Sequence, residues 1–509
     1  MTKAKKLIEV AMPIKEISAE SVRDKSIRHG HISTLHTWWA RRPLPVCRAV
    51  VFASLVPDPL DDDCPQAFQE AVQDLLETNP LYAPYPDIPY TAVYDPMPDT
   101  LRNRLLMFIG KFSADCQRNM LGGKPTPSKD QIQEGCLIKW ESKNDPKVLR
   151  LARLLIWVAY HAEQRPEATY RELAAEFDAA FEALSRAQSA LYTTPNRHIA
   201  TPEVMAKEKA LQEAIDSFQN RMPSVFDPFA GGGAIPLEAA RLGCRAFGND
   251  INPVAHIIEK GSVEFPQKYG KPIIYSHEEF MSLYGEDGVK LYIEKFGGMP
   301  TSEVRIPNRL SFDVEYYAKK LLRMTEAEVG YLYPADEKGN KPIAYYWART
   351  ATCSNPSCRA QVPLLKQFYL ANTKSKKVYL QPVINGTDIQ FEIKEGEYDE
   401  KELPGWNNRG NLTCPCCGSV TTVEQVKQQF KTKISEKILA IIYETPNGKQ
   451  YKEPKNFRQI NVDVCDKPTE KMAIENNRNF NTPGWGIDNY GDMFSNRQLN
   501  TLQTFVKQL

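Results

Sequence analysis

The segment that most constrains the fold is a glycine-rich turn between a short apolar strand and a helix. The strand at residues 224–226 ends at Asp227, three glycines follow at 231–233, and helical periodicity begins after them. Glycine is needed where the backbone bends sharply and approaches a ligand without an intervening Cβ atom. A second strand, residues 245–249, ends at Asp250, whose carboxylate can accept hydrogen bonds from both hydroxyls of a ribose. This order predicts a βαβ unit with a nucleotide-type site.

Two other interpretations of the turn remain open. It can be a plain glycine turn in which Asp250 only caps the following helix. It can also belong to a dinucleotide enzyme, although three consecutive glycines do not match the G-x-G-x-x-G spacing of that class. The carboxylate 23 positions after Asp227 favours a ligand site, because a glycine turn paired with a placed acid is more specific than the glycines alone.

A second unusual string, HTWWARRP at residues 36–43, lies near the amino terminus. Its two tryptophans and two arginines are also compatible with a core anchor that has a solvated basic edge. We therefore weigh this string together with the glycine turn.

Residues 227–233 (DPFAGGG) resemble the D-P-F-x-G-x-G motif of amino-directed DNA methyltransferases, which bind S-adenosylmethionine. In that family the glycine turn lies beside the methionine part of the cofactor, and the later acid binds its ribose. The resemblance implies cofactor-binding roles for Asp227, Pro228, Phe229, Gly231, Gly233, Asp250 and Asn252.

The string at residues 36–43 resembles the H-P-Y-P-A-K-F-P segment of the same enzymes, which closes the methionine end of the cofactor pocket. The resemblance implies further cofactor contacts by His36, Ala40, Arg41 and Pro43, with Arg41 in the place of a lysine. Residues 28–43 together resemble the opening domain of large adenine-specific DNA methyltransferases associated with anti-phage defence islands. The likeness covers most of the chain apart from about 60–200.

The catalytic motif of such enzymes, [D/N/S]-P-P-[Y/F/W], is missing from this sequence. The motif holds the exocyclic amine and stacks an aromatic ring on the flipped base. The nearest strings are residues 87–90 (DIPY) and 95–98 (DPMP), both of which we predict to be turns. In the resembling family the motif lies beyond the point where this chain stops, and helical periodicity at 498–506 halts without a capping signal. We therefore expect the amino-terminal part of a longer or split enzyme, with no catalytic residue of its own.

Five of the eleven cysteines fall in two tight groups. Four thiolates at this spacing suit tetrahedral Zn²⁺ in a closed structural site, and we predict the ligands Cys353, Cys358, Cys414 and Cys417. Cys416 is the alternative within the second group, and unliganded thiols are the alternative to a metal. A ribbon of this kind can contact DNA or act only as a stabilising clip. The other six cysteines are scattered singly, as free thiols are in a reducing compartment.

The spacing of apolar residues predicts long helices over 146–164 and 170–192, one short helix within the proline-rich passage before them, and a helix near 314–324. It also predicts a strand at 343–348 and a hairpin from 377–383 and 389–393. The expected fold is α/β: a doubly wound, Rossmann-like S-adenosylmethionine-dependent methyltransferase core with a helical insertion and a zinc ribbon. The predicted segments are an amino-terminal domain (1–56), the insertion (57–220), the core (221–350), the ribbon (351–425) and a linker toward the missing catalytic segment (426–509).

The expected function is the S-adenosylmethionine-binding part of a DNA adenine-N6 methyltransferase of a phage-defence or restriction-modification system. Its expected partners are DNA and a second chain or segment that carries the catalytic motif. A net charge of +1 does not by itself indicate nucleic-acid binding, so any basic surface must be local. No apolar run reaches membrane-spanning length, and we expect a cytoplasmic protein. The alternatives are a non-catalytic DNA-binding or assembly subunit and a methyltransferase that acts on RNA.

Overall fold

The computed structural model describes residues 3–36, 41–90, 96–454, 462, 466–472 and 482–509. Helices account for 48% and strands for 17% of the structure, so the fold is mixed α/β. The chain divides into two compact units, Met1–Tyr316 and Tyr317–Leu509. The two units are larger than the five predicted segments, and the boundaries of those segments remain predictions. Within the described ranges, no helix combines the length and the apolar character needed to cross a membrane.

The first unit is mainly helical. Its helices are α1 (Leu7–Val10), α2 (Ile14–Ser26), α3 (Leu44–Leu55), α4 (Gln66–Val72), α5 (Leu101–Ile109), α6 (Ala114–Leu121), α7 (Pro146–Gln164), α8 (Tyr170–Tyr192), α9 (Pro202–Gln219), α10 (Ala234–Arg241), α11 (Pro253–Glu259), α12 (Phe265–Tyr269) and α13 (His277–Phe296). A further helix, α14 (Arg309–Val329), contains the division between the units and includes the helix predicted near 314–324.

The two long predicted helices, α7 and α8, form at the predicted boundaries. α7 begins after Asp145, whose carboxylate accepts hydrogen bonds from two backbone amides of the first turn. α8 begins after Thr169, which forms a reciprocal capping box with Glu172. Such caps satisfy amides that have no partner inside the helix. The short helix predicted in the proline-rich passage is confirmed as α4.

The main core of the first unit is built on α7. Its Trp157 is the largest fully buried side chain, with ring centroids 5.7 Å from Phe177 of α8 and 5.9 Å from Phe218 of α9. The same cluster includes buried side chains from α3, α4, α5 and the carboxyl end of α10. The predicted insertion therefore supplies much of the core on which the glycine-turn helix rests.

The glycine turn joins the two strands of a parallel pair. β1 (Ser224–Asp227) and β2 (Arg245–Gly248) pair in register, with α10 as the crossover helix. One face of the pair packs on the helical core. On the other face Phe226 and Phe247 are register partners, 63% and 44% exposed. Parallel sheets are normally covered on both faces, so this exposed aromatic pair is unusual.

After β2 the structure departs from the predicted parallel sheet. β3 (Ile273–Ser276) and β4 (Glu303–Ile306) form a separate antiparallel pair. Tyr275, Phe280 and Phe312 cluster against this pair, with 5.9 Å between the last two ring centroids. β3 and β4 therefore form a sheet with a core of its own and do not extend the first sheet. Among the described strands, parallel pairing is limited to β1 and β2, and one isolated parallel bridge joins Pro195 to Ile274 of β3.

A buried ion pair joins α3 to α10. The Arg48 Nε atom donates to Glu238 Oε2 at 2.6 Å, and both side chains are inaccessible to solvent. Arg48 Nη1 also donates to the carbonyls of Leu137 and Lys139, and Glu238 also pairs with Arg241. Buried charges are tolerated only when their remaining donors and acceptors are satisfied in this way. The pair fixes the amino-terminal segment beside the helix that follows the glycine turn.

The second unit is a set of small antiparallel sheets. Its strands are β5 (Pro342–Thr352), β6 (Gln361–Pro363), β7 (Tyr369–Asn372), β8 (Lys377–Asn385), β9 (Asp388–Glu395), β10 (Asn407–Asn408), β11 (Asn411–Thr413), β12 (Val420–Thr421), β13 (Ser435–Thr445) and β14 (Gly448–Lys452). They form sheets of order β14-β13-β5-β6, β7-β8-β9 and β10-β11-β12. Two helices, α15 (Val423–Thr432) and α16 (Asn496–Gln508), complete the unit. The predicted strand at 343–348 and the predicted hairpin are confirmed as β5 and β8–β9.

We predict that Glu238→Gln lowers the free energy of unfolding by about 3–5 kcal/mol, because it leaves the Arg48 charge buried without a counter-charge. Urea denaturation followed by tryptophan fluorescence measures the change. The matched control is Glu213→Gln, which removes an exposed carboxylate paired with Lys209 on α9 and should leave the midpoint unchanged. Equal effects of the two substitutions would contradict the structural role given to the buried pair.

Candidate functional site

Two glycines of the turn have backbone conformations that other residues rarely adopt. Gly231 has a φ of 56° and Gly233 a φ of 77°, both in the left-handed region. Gly233 is the N-cap residue of α10, and a Cβ atom there would lie 3.3 Å from Glu259 Cγ and Val263 Cγ2. At position 231 the turn needs glycine for its backbone conformation. At position 233 it needs glycine both for its backbone conformation and for the close packing against Glu259 and Val263.

The Asp250 carboxylate is tied to the glycine turn. The backbone amide of Gly231 donates to Asp250 Oδ2 at 2.9 Å, and the amide of Asn252 donates to Oδ1 at 2.9 Å. The Asn252 side chain caps α11 by accepting from the amide of Val254. Each carboxylate oxygen has a further lone pair for a ligand. The acid at the end of β2 is thus held in a defined position beside the turn.

A cavity of about 280 Å³ lies at this turn. It is lined by residues of three segments, which are Ile32, Ser33, His36, Arg41 and Arg42, then Asp227, Phe229, Ala230, Gly231, Gly232, Ala234 and Ile235, and finally Asp250 and Ile258. Its volume is near the lower end of the roughly 300–1,000 Å³ typical of small-molecule sites. The amino-terminal string and the glycine turn, almost 200 positions apart in the sequence, meet at one cavity.

Six of the predicted cofactor residues line this cavity: His36, Arg41, Asp227, Phe229, Gly231 and Asp250. Four others do not line it, namely Pro43, Pro228, Gly233 and Asn252. Of these, Pro43 is the N-cap residue of α3 and Gly233 is the N-cap residue of α10. The backbone amide of Asn252 donates to the Asp250 carboxylate. Ala40 and the adjacent tryptophans lie outside the described residues.

The cavity is lined by side chains of both charges. The amino-terminal segment contributes the guanidinium groups of Arg41 and Arg42, while the turn and β2 contribute the carboxylates of Asp227 and Asp250. The Asp227 carboxylate also accepts from the backbone amide of Phe229 at 3.1 Å, which folds the chain back after β1. Such a cavity suits a ligand that carries both an anionic group and hydrogen-bond donors.

A third carboxyl group, Glu259, lies beneath the turn and was not singled out from the sequence. A Cβ atom on Gly248 would overlap its Oε1 atom, so β2 ends in glycine where Glu259 packs. Burial raises the pKa of the Glu259 carboxyl above its ordinary value of 4.5, and the nearby charges of Asp250 and Asp227 add to the effect. An acid at the carboxyl end of a helix gives no sequence signal of this kind, because only the fold brings it to the turn.

The second unit contains a compact group of four cysteines. The sulfur atoms of Cys353, Cys358, Cys414 and Cys417 all lie within 4.8 Å of one another. Two of the Sγ–Sγ distances are 3.6 Å, between Cys353 and Cys417, and 3.8 Å, between Cys358 and Cys414. Tetrahedral Zn²⁺ with Zn–S bonds of about 2.3 Å places its sulfur ligands about 3.8 Å apart. The group can therefore hold a metal ion such as zinc, and it is made of the four predicted residues.

Local hydrogen bonds hold the two cysteine turns in place. The amide of Gly418, whose φ is 74°, donates to the carbonyl of Cys414 at 2.8 Å. The amide of Ser354 donates to Thr421 Oγ1 at 3.0 Å, which links the first turn to β12. The Ser419 hydroxyl and backbone amide lower the pKa of the Cys417 thiol to about 6, whereas burial raises the pKa of the Cys353 thiol to about 12.

The two strings that come nearest to the catalytic motif are residues 87–90 and 95–98, and the first has a structural role. Asp87 lies in a turn and pairs with Arg118 at 2.7 Å, while Ile88 is buried. Asp95 lies outside the described residues. The turn predicted at 87–90 is therefore confirmed at Asp87. The singly placed cysteines that the structure describes are free thiols, as expected, and Cys465 lies outside the described residues.

We predict that Cys414→Ser reduces bound zinc from one ion per chain to a substoichiometric amount, because it removes a buried ligand of the four-sulfur group. Cys416→Ser is the matched control in the same turn and should retain one zinc ion. Metal analysis of the purified, dialysed variants by mass spectrometry measures both. Loss of zinc from the Cys416 variant with retention in the Cys414 variant would contradict this ligand set.

The comparisons with known proteins give one match. A family model described as "Protein of unknown function (DUF1156)" matches residues 11–79. Neither a curated protein nor a solved structure matches the chain. The matched segment includes the amino-terminal residues of the cavity and Arg48, the residue that anchors this segment to α10.

Proposed function

We propose that this chain binds S-adenosylmethionine in the cavity at the glycine turn and is the cofactor-binding part of a DNA adenine-N6 methyltransferase. The observation that supports the proposal is that His36, Arg41 and Arg42 of one methyltransferase-like string line the same cavity as residues of a second such string, 227–233. In the complete reaction the methyl group passes from the cofactor sulfonium to N6 of adenine. A proton leaves the amine, and S-adenosylhomocysteine remains.

The ribose end of the cofactor fits Asp250. Its carboxylate stands at the end of the second strand of a βαβ unit, the position from which an acid accepts hydrogen bonds from ribose hydroxyls. The bonds from Gly231 and Asn252 fix both oxygens while leaving acceptor capacity. This preorganisation supports recognition of a nucleoside.

The amino-acid end of the cofactor fits the amino-terminal segment. S-adenosylmethionine carries an α-carboxylate, for which Arg41 and Arg42 supply positive charge, and an α-ammonium, for which Asp227 supplies negative charge. A dinucleotide has no amino-acid zwitterion and needs space for a pyrophosphate at the helix terminus. The charges of the cavity therefore favour the methyl donor over a dinucleotide.

We further propose that a second segment or chain supplies the catalytic motif. The sequence lacks that motif, and the exposed pair Phe226 and Phe247 leaves one face of the parallel sheet without a covering layer. Since parallel sheets are usually covered on both faces, a partner that adds strands and helices here would complete the sheet. The expected Rossmann-like core would then be made jointly.

The second unit supports a role for DNA. Lys338, Lys376 and Lys449 line a groove of about 490 Å³ together with Tyr451. Among the described residues that line it, the one carboxylate is that of Glu395, 4.0 Å from the Lys376 ammonium. The Lys376 ammonium donates to the Lys449 carbonyl at 3.0 Å and lies 5.4 Å from the Tyr451 ring centroid. Lysines grouped in this way suit a phosphate backbone. The groove also fits the alternative function, a non-catalytic DNA-binding subunit.

We propose a structural zinc ion for the four-cysteine group and a reducing, cytoplasmic compartment for the protein. Cys353 and Cys414 are both part of the hydrophobic core of the second unit. A metal bound there would therefore stabilise that core. The free thiols and the zinc site suit a compartment in which disulfides do not form.

We predict that calorimetric titration of S-adenosylmethionine into the zinc-loaded chain gives one binding site, and that Asp250→Asn lowers its affinity at least about tenfold, because a charged hydrogen bond to the ribose contributes about 1.5–3 kcal/mol. Asp216→Asn is the matched control, since Asp216 is on α9 and does not line the cavity. No binding to the folded wild-type chain, or equal affinities for both variants, would contradict the proposed cofactor site.

We predict that Lys376→Ala/Lys449→Ala weakens binding to a DNA duplex and reduces the slope of log affinity against log salt by about one for each lost phosphate contact. The control pair, Lys209→Ala/Lys290→Ala, removes two exposed lysines of the first unit and should leave the slope unchanged. Fluorescence anisotropy over a range of salt concentrations gives both slopes. A structured RNA run in parallel separates DNA from RNA as the preferred partner, and an unchanged slope would contradict the groove as the contact surface.

A further inference from the structure

A buried polar cluster lies directly behind Arg41. The Asp24 side chain on α2 is 1% exposed and accepts from two neighbours. Arg41 Nη2 lies 3.0 Å from Asp24 Oδ2, and His31 Nε2 lies 3.0 Å from Asp24 Oδ1. Neither Asp24 nor His31 lines the cavity, so the cluster is a second layer behind the cavity wall.

The surroundings of His31 fix its hydrogen-bonding roles. The backbone amide of Ser33 donates to His31 Nδ1 at 3.0 Å, so Nδ1 is an acceptor. The proton of the neutral ring is then on Nε2, which donates to Asp24. The ring is 2% exposed and stacks on Trp140, with centroids 5.5 Å apart and planes at 13°. His31 therefore holds the Asp24 carboxylate in one orientation.

The cluster binds only part of the Arg41 guanidinium. Its Nη2 donates to the carbonyl and the carboxylate of Asp24, and its Nη1 donates to Ser33 Oγ at 2.9 Å. A guanidinium has five N–H groups, so these three bonds leave two N–H groups that have no partner among the described residues and can bind a ligand. The side chain is 22% exposed and lines the cavity. Long arginine side chains lose much rotamer freedom when they bind, and a guanidinium fixed in advance avoids that cost.

We infer that Asp24 and His31 are positioning residues that hold Arg41 for the α-carboxylate of the cofactor's amino-acid part. This inference rests on the proposed function and adds to it a way in which the cavity selects its ligand. The cavity would distinguish ligands that carry an amino-acid carboxylate from adenine nucleosides that lack one. Neither residue belongs to the two strings, 36–43 and 227–233, from which the cofactor contacts were expected.

The test compares S-adenosylhomocysteine with 5′-methylthioadenosine, which has the same nucleoside and thioether but no amino-acid group. Calorimetry on the full chain should show that Arg41→Ala and Asp24→Asn each lower the affinity for S-adenosylhomocysteine about tenfold or more, as expected for a charged hydrogen bond. The affinity for 5′-methylthioadenosine should stay within about twofold. Asp62→Asn, in an exposed loop, is the charge-matched control and should change neither affinity.

The double variant Arg41→Ala/Asp24→Asn separates positioning from a general effect on the pocket. If Asp24 acts through Arg41, the double variant binds S-adenosylhomocysteine no more weakly than Arg41→Ala alone. Should Asp24→Asn unfold the first unit, Ser33→Ala removes another hydrogen bond to Arg41 and should give a smaller loss in the same direction.

Equal losses for the two ligands, or additive losses in the double variant, would overturn the inference and leave the proposed function standing. Failure of the wild-type chain to bind either ligand would overturn the proposed function and this inference with it.

Discussion

The buried pair of Arg48 and Glu238 is the contact on which the candidate site depends. It ties α3, which follows the amino-terminal string, to α10, which follows the glycine turn. Two buried charges of opposite sign are costly to separate, so the two helices have one favourable arrangement. That arrangement brings Arg41 and Arg42 to the same cavity as Asp227 and Gly231. The helices between them in sequence supply the core around Trp157 that supports both.

The site divides its chemistry between these segments. The glycine turn and Asp250 form one side of the cavity, and Arg41 brings a positive charge that Asp24 holds in place. The parallel pair itself is small and has an exposed aromatic face. The second unit adds a cysteine group and a lysine-lined groove. This division fits a protein that binds a cofactor and contributes to a larger assembly.

Local signals in the sequence were the most informative. α7 and α8 were predicted at their observed boundaries because the apolar spacing is regular, and in the structure Asp145 and Thr169 cap them there. The four-cysteine group followed from ligand spacing, and the geometry leaves Cys416 outside it. The contacts of Asp24 with Arg41 and of Glu259 with the glycine turn could not be predicted, because neither acid is part of a motif. The antiparallel pairing of β3 and β4 was also missed, since periodicity gives no strand direction.

A crystal structure of the chain with S-adenosylhomocysteine bound would test the proposed cofactor site. We expect the ligand in the cavity at the glycine turn, with its ribose hydroxyls at Asp250 and its carboxylate at Arg41. The contacts of Arg41 with Asp24 should persist in the complex. A ligand bound elsewhere, or its ribose placed away from Asp250, would rule out this site.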